Sequence, residues 1–393
     1  MSKRSTRVPV PTAALDAALD QDSTLVVVLE LSARSWLTGA RIPGLGRLSR
    51  YALPPSAEAL VSWLSSAKAR AGAAGRTVSR VVLAYEAGRD GFWLARYLRA
   101  RGVEVYVIQP SSVLVDRRAR RAKTDALDVE MLMRTLLAWL RGEPGVCSMV
   151  PIPDVAEEDG RRSVRERQKL IAERLALLNE IDGVLATLGV TGYRPLRQDR
   201  RARLAELRTP EGDPLPANAA ARIGRVLDRL ELVMTQIAEL ERARDAVLAE
   251  ERAAGEAETM IRSLARLRGV GAELATVLVR EAYVRGFPNR KALGAYAGLT
   301  GTPFASGGTA REQGISKAGN RRLRSSLVEL AWLWLRYQPG STLAEWFRNR
   351  TGFAGGRMRK VMIVALARKL LVALWRFCRD GVLPEGAVLK AVA

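Results

Sequence analysis

Apolar and polar positions along the 393-residue chain change their period twice, and each change marks a change of architecture. The first run, Thr24-Leu-Val-Val-Val-Leu-Glu30, is continuous and β-branched, as in a strand buried on both faces. Two short strands follow, Ser35 to Ile42 and Arg47 to Leu53, split by the turn at Gly44 to Gly46. Pro54-Pro55-Ser56 then opens a helix over Ala57 to Ala73, with apolar residues at Leu60, Val61 and Leu64. A strand over Arg80 to Glu86, a helix over Asp90 to Arg101, a strand over Val103 to Gln109 and a helix over Asp125 to Arg141 complete the region. Three strands, a helix, then alternating strand and helix is the order of a ribonuclease H-like α/β domain, expected over residues 1–150.

From about Glu157 the period lengthens to that of charged helices. Arg161 to Leu188 places Leu170, Leu175, Leu178, Ile181 and Leu185 on one stripe, and Ala221 to Arg252 repeats Val226, Leu230, Val233, Ile237 and Leu240 at spacings of three and four. The Pro- and Gly-rich stretch from Thr209 to Pro216 separates them, so residues 151–255 are expected to form a helical hairpin or coiled-coil spacer, packed within the chain or used for self-association. Residues 256–393 form a third, mostly helical domain. There Gly269-Val-Gly271 joins two short helical runs in the manner of a helix-hairpin-helix, whose glycines let backbone N–H groups approach phosphate. A Gly-rich segment from Gly298 to Gly314, a helix over Lys317 to Tyr337 and a basic amphipathic helix over Arg357 to Arg379 follow. Trp332, Trp334, Tyr337, Trp346, Phe347 and Trp375 recur with leucines at helical spacing and are expected mostly in the core.

Composition narrows the chemistry. The chain has no histidine, which excludes imidazole-dependent hydrolysis, His-ligated zinc and His phosphorelay. Its two cysteines, Cys147 and Cys378, lie far apart and outside any CxxC, as suits a reducing cytoplasm. The N-terminus has no apolar segment of secretory type, and the apolar stretch Val361 to Ala367 is far short of the roughly 20 residues of a membrane helix. Net charge is +22, unevenly spread: 22 basic and 13 acidic residues in 1–150, 18 and 19 in 151–255, and 23 and 9 in 256–393. An arginine-favouring genome raises such a balance too, but so large an excess in one segment exceeds what solubility requires and points to polyanion-binding ends around a neutral spacer, with a nucleoid-associated location.

Four carboxylates occupy suggestive places. Glu30 and Glu86 end predicted strands, where α/β domains place their sites, and Asp125 and Asp128 stand three apart at the start of a helix. In a ribonuclease H-like sheet the first and fourth strands are neighbours, and the last helix crosses their ends, so all four would converge. Oxygen ligands gathered this way bind Mg²⁺ or Mn²⁺, and a pair of such ions about 3.5–4 Å apart stabilises attacking and leaving oxygens in phosphodiester cleavage. Taken singly, strand-end acids are common and first-turn acids serve the helix dipole. The basic run Arg117, Arg118, Arg120, Arg121 and Lys123 beside them suits an entering phosphate strand, or a solvated loop.

The residues then match a family. Ala84-Tyr-Glu86-Ala-Gly88, Lys123-Thr-Asp125-Ala-Leu-Asp128, Gly269-Val-Gly271, Tyr296-Ala-Gly-Leu-Thr300, Ser306-Gly307 and the run from Gly314 to Arg324 resemble, in order and over nearly the whole chain, the transposases of the insertion sequence 110 family, relatives of the Piv DNA invertases. The resemblance implies a RuvC-like domain carrying Glu30, Glu86, Asp125 and Asp128 as metal ligands, a coiled coil for assembly, and a C-terminal domain with Ser306 as nucleophile. At the first acidic place that family most often has Asp, where this chain has Glu30, a side chain reaching one methylene further. A serine hydroxyl that attacks phosphate conserves the bond in a phosphoserine link for rejoining, and Arg311, Lys317, Arg321, Arg322 and Arg324 would neutralise the reacting phosphate. Without the resemblance, Ser306 reads as a turn residue beside two glycines; Ser316, Ser325 and Ser326 are its competitors. Asn320 and Arg324 are candidates for nucleic-acid contacts, with Gly269 and Gly271.

The resemblance further implies donor and target DNA as substrates, a structured noncoding guide RNA, and a homo-oligomer, dimer or tetramer, in which sites of different subunits combine. Two other functions fit the residues: a Holliday-junction nuclease hydrolysing with metal-activated water, and a non-catalytic nucleic-acid-binding scaffold.

Overall fold

The computed structural model describes residues 19–113, 125–143, 145–250, 255–306, 309–352 and 356–391. The chain divides into two compact units, Met1–Asp154 and Val155–Ala393.

The first unit is built on five strands: β1 (Thr24–Leu31), β2 (Trp36–Arg41), β3 (Ser49–Leu53), β4 (Arg80–Glu86) and β5 (Glu104–Ile108), in the order β3-β2-β1-β4-β5. β1, β2 and β3 pair antiparallel, while β4 and β5 run parallel to β1. The helices α1 (Ala57–Ala73) and α2 (Trp93–Arg99) connect β3 to β4 and β4 to β5, and α3 (Asp125–Leu140) follows the sheet. Ser56 starts α1 by accepting a hydrogen bond from the Ala59 amide.

Successive strand residues point to opposite faces, and the two faces have separate cores. Leu25, Val27 and Leu29 of β1 and Leu83 and Tyr85 of β4 pack with Leu60 and Leu64 of α1 and Leu94 and Leu98 of α2. Val26, Val28, Val82 and Ala84 pack with Val129, Leu132, Met133 and Leu136 of α3. α3 sits low on β2 because position 39 carries no side chain: a Cβ there would stand 2.3 Å from Val129 Cγ1 and 3.2 Å from Val28 Cγ2.

The second unit begins with α4 (Val155–Asp159) and two long helices, α5 (Arg162–Ala186) and α7 (Ala217–Ala249), with the short α6 (Arg200–Glu206) between them. α5 and α7 are antiparallel: Arg167 near the start of α5 pairs with Glu241 near the end of α7, and Glu180 with Arg222 and Arg229. Their seams meet within the chain, Leu170, Ile181 and Leu185 burying against Val226, Leu230, Val233 and Ile237. The stripes that sequence offers for self-association are therefore occupied by each other, while Leu175 remains exposed.

The remaining helices, α8 (Glu256–Ala265), α9 (Ala272–Leu278), α10 (Arg290–Tyr296), α11 (Arg321–Tyr337), α12 (Thr342–Thr351) and α13 (Gly356–Asp380), share one core. Within the segment read only as Gly-rich lies a β-hairpin, β6 (Gly301–Ser306) and β7 (Thr309–Ile315). Trp334 is fully buried and donates its indole N–H to Ser341, whose hydroxyl caps α12. Trp375 and Phe347 join it in the core, but Trp332 and Tyr337 are exposed. Among the described residues no helix is long and apolar enough to cross a membrane.

The tight seat of α3 has a measurable consequence. Gly39→Ala is expected to lower stability by about 1–3 kcal/mol through overpacking against the stiff Val129, read as a lower urea midpoint; an unchanged midpoint would contradict this seating.

Candidate active site

In the first unit the parallel register of β1 and β4 sets the arrangement. Thr24 pairs with Arg80, and the register runs without a slip to Leu29 opposite Tyr85. The next positions on the two strands are Glu30 and Glu86, so two carboxylates occupy neighbouring places at adjoining strand ends. Both share parity with Val26, Val28, Val82 and Ala84, which places them on the face covered by α3. Each is half-buried. Asp125 is the first residue of α3, four before the Val129 that seats the helix on the sheet; its side chain lies outside the described residues. Asp128, half-buried, precedes Val129. Among the described residues no three acidic or thiol side chains are grouped closely enough for a metal site. Arg117, Arg118, Arg120, Arg121 and Lys123 lie outside the described residues.

In the second unit Ser306 is the last residue of β6, paired with Thr309 of β7. Its side chain and that of Arg311 lie outside the described residues. The other serines have structural duties. Ser316 joins the hairpin base, its amide donating to the Thr300 carbonyl at 2.8 Å and its hydroxyl accepting from Thr300. Ser325 donates to the Arg322 carbonyl, and Ser326 is buried.

Behind the hairpin, the segment before α11 is held against the end of α10. The Asn320 amide donates to the Tyr296 carbonyl, and Lys317 to that of Gly298. Gly319 permits this approach, since a Cβ there would stand 2.5 Å from the Tyr296 oxygen. Lys317 itself has φ +55°, a left-handed conformation costing a non-glycine residue about 1–2 kcal/mol. Its side chain is exposed, as are Arg321 and Arg322. Arg324 instead donates to the Ala297 carbonyl. In the turn between α8 and α9, Gly269 has φ +82°, and a Cβ there would meet Tyr337; Gly271 caps α9.

Asn320, expected at a nucleic-acid surface, is engaged internally. Its carbonyl oxygen caps α11 at Leu323, and its Nδ2 donates to Glu281 Oε2 at 2.8 Å and to the Tyr296 hydroxyl. Glu281 is a fully buried carboxylate that sequence reading passed over. It lies in a π-helical turn, Val279–Tyr283, and receives two hydrogen bonds from Arg165 of α5, at 2.8 and 3.0 Å. Burial pushes its carboxyl pKa up, but the Arg165 bonds and charge, the Asn320 bond and the nearby Arg161 together hold it below its ordinary range. The single acid in the stretch Val277 to Val284, beside Arg280 and otherwise among apolar residues and Tyr283, was the available signal, because such a group must find partners.

Comparison with known proteins bears on both units. Residues 261–345, which run from α8 through the hairpin to the start of α12, match the sequence model described as the Transposase IS116/IS110/IS902 family. A Sinorhizobium fredii protein named "Putative transposase y4rJ" is 48% identical over 376 residues, covering 93% of this chain and 94% of the relative. The transposase for insertion sequence element IS1328 of Yersinia enterocolitica is 26% identical over 305 residues, 76% of this chain and 84% of that protein. The chain belongs to the IS116/IS110/IS902 family of transposases, and is thus a DNA-processing enzyme.

The Glu281 cluster ties α5 to the start of α11, so its loss should be felt globally. Glu281→Ala is expected to cost about 1–3 kcal/mol, because it leaves the Asn320 amide without its buried acceptor, while the partly exposed Arg165 can turn to water. Since the folded carboxyl titrates below its ordinary value of 4.5, its contribution is complete above that pH and disappears as pH falls through the lower folded value. Urea melts from neutral pH to about pH 3 check this: the difference between wild type and Glu281→Ala should shrink with acid. A gap independent of pH would contradict the ionised pair.

Proposed function

We propose that this transposase cuts and rejoins DNA strands through Ser306, assisted by a divalent cation held by Glu30, Glu86, Asp125 and Asp128, with a structured noncoding RNA selecting the DNA. The observation that carries the reading is the coincidence of β1–β4 register, face and helix start. Glu30 and Glu86 follow one another in register on the face where α3, beginning with Asp125, is seated. The strand order β3-β2-β1-β4-β5, with β2 alone antiparallel to both its neighbours, supports a ribonuclease H-like, RuvC-like fold. The turn through Gly269 and Gly271 supports a helix-hairpin-helix.

The donor chemistry suits Mg²⁺ or Mn²⁺: carboxylate oxygens only, in a chain without histidine. When bound, such an ion supplies positive charge against the reacting phosphate. The protein's own residues do the rest. The Ser306 oxygen forms a bond to phosphorus as the bond from phosphorus to a sugar oxygen breaks; the serine proton passes to a carboxylate, and the departing sugar oxygen takes up a proton. The reverse exchange, with a different sugar hydroxyl, rejoins the strand. Lys317, Arg321 and Arg322, exposed beside the hairpin, can offset phosphate charge. The excess of basic residues in 256–393 suits a guide RNA as it does DNA.

Ser306→Ala is expected to abolish strand cleavage of the element's end DNA, and Asp125→Ala and Glu86→Ala to reduce it at least about 100-fold. Denaturant quenching and proteolysis of a wild-type reaction should leave a peptide containing Ser306 on the DNA. Cleavage retained by Ser306→Ala would instead favour hydrolysis by activated water, and a different serine on the DNA would move the nucleophile.

A further inference from the structure

The helix α13 has two unlike sides. Leu366, Leu370, Leu371 and Leu374 bury one side of this helix. The other side borders a groove of about 1000 Å³ that runs to the base of the β6–β7 hairpin at Gly301, Gly314 and Ile315. Arg357, Lys360, Arg368, Lys369 and Arg376 enter it from α13, and Arg290 and Lys317 from the hairpin side; no acidic residue lines it among those described. The five helix residues are exposed. Lys317 holds the left-handed backbone conformation noted above, so a lysine stands where glycine would fit without strain.

The basic residues are not a uniform patch. Along α13 they come as rungs at Arg357 and Lys360, at Arg368 and Lys369, and at Arg376, and between the rungs lie Val361, Val364 and Ala365, then Val372 and Ala373. Val361 is 56% exposed. Trp346 also lines the groove, with Lys369 over its ring, 4.6 Å from the centre. A duplex presents phosphates to such a surface and would leave the apolar steps uncovered. A single strand presents phosphates and unstacked bases together, one for the rungs and one for the steps.

We propose that this groove binds a single strand of DNA and guides it along the hairpin toward Ser306, which stands about 17 Å along β6 from Gly301. The direction toward Ser306 rests on the function proposed above; the groove's affinity does not. Binding is therefore measured with full-length protein carrying Ser306→Ala, where no bond to DNA can form. The probe is a fluorescein-labelled oligothymidylate of about 12 nucleotides, followed by anisotropy over a range of salt. Against that background, Lys360→Gln/Arg368→Gln/Arg376→Gln should weaken binding about tenfold or more and flatten the log–log salt dependence by about 2, which is three lost phosphate contacts. The control Arg266→Gln/Arg336→Gln/Arg350→Gln, outside the groove, should keep both. If the triple variant melts early, Lys360→Gln and Arg376→Gln alone should each lower the slope by about 0.7. An unchanged slope, or an equal loss in the control, overturns the groove. Tighter binding of an oligouridylate or of duplex DNA that is lost with the same three residues overturns the assignment to single-stranded DNA. Groove binding as expected, together with a wild-type reaction that leaves no Ser306 adduct on the DNA, would leave the groove standing and remove the nucleophile instead.

Discussion

The parallel pairing of β1 with β4 is the constraint that places the first unit's candidate acids. Parallel strands need a crossover, here α1 between β3 and β4, and their register is fixed because a slip of one residue would turn Val26, Val28, Val82 and Ala84 from one core to the other. The same register that buries the valines brings Glu30 level with Glu86 at the strand ends. The acids lie where apolar alternation puts them, and α3 reaches that face because Gly39 leaves room for Val129. The packing of the sheet and the placement of the acids are thus set by one pattern of alternate residues.

The second unit is ordered by a different interaction. Glu281, buried in a π turn, binds Arg165 from the helical hairpin and Asn320 from the start of α11. The cluster lies near the base of the hairpin whose first strand ends in Ser306, and Tyr296 and Gly319 join the two by backbone contact. Several residues that resemble family motifs thereby have structural work: Asn320 caps and bridges, Gly319 permits close approach, and Gly269 takes a positive φ against Tyr337. The exposed cations beside them, Lys317, Arg321 and Arg322, remain available to a ligand.

Strands and long helices were legible because their periods are strong. The bounds read for α1 and β4 agree with the structure to the residue, since Ser56 caps one and an apolar run defines the other. The β6–β7 hairpin was not legible: its glycines and polar residues carry no alternation, and its pairing rests on backbone groups. α12, between the two helices read on either side of it, was not read, although Ser341 caps it. The stripes of α5 and α7 were legible as apolar seams, but periodicity does not say whether a seam's partner is the same chain or another; here it is the same chain. The positions of Glu30 and Glu86 could be read from strand ends; the role of Glu281 could not, because its partners lie 116 and 39 residues away.

The central claim is that the four carboxylates act as one divalent-cation site. Titration of Mn²⁺ into the full-length protein, followed by electron paramagnetic resonance, tests it without requiring DNA or catalysis. Binding should be saturable, and Glu30→Gln, Glu86→Gln, Asp125→Asn and Asp128→Asn should each weaken it while leaving the fold intact. Mn²⁺ binding unaffected by all four substitutions, or absent from the wild-type protein, would contradict it.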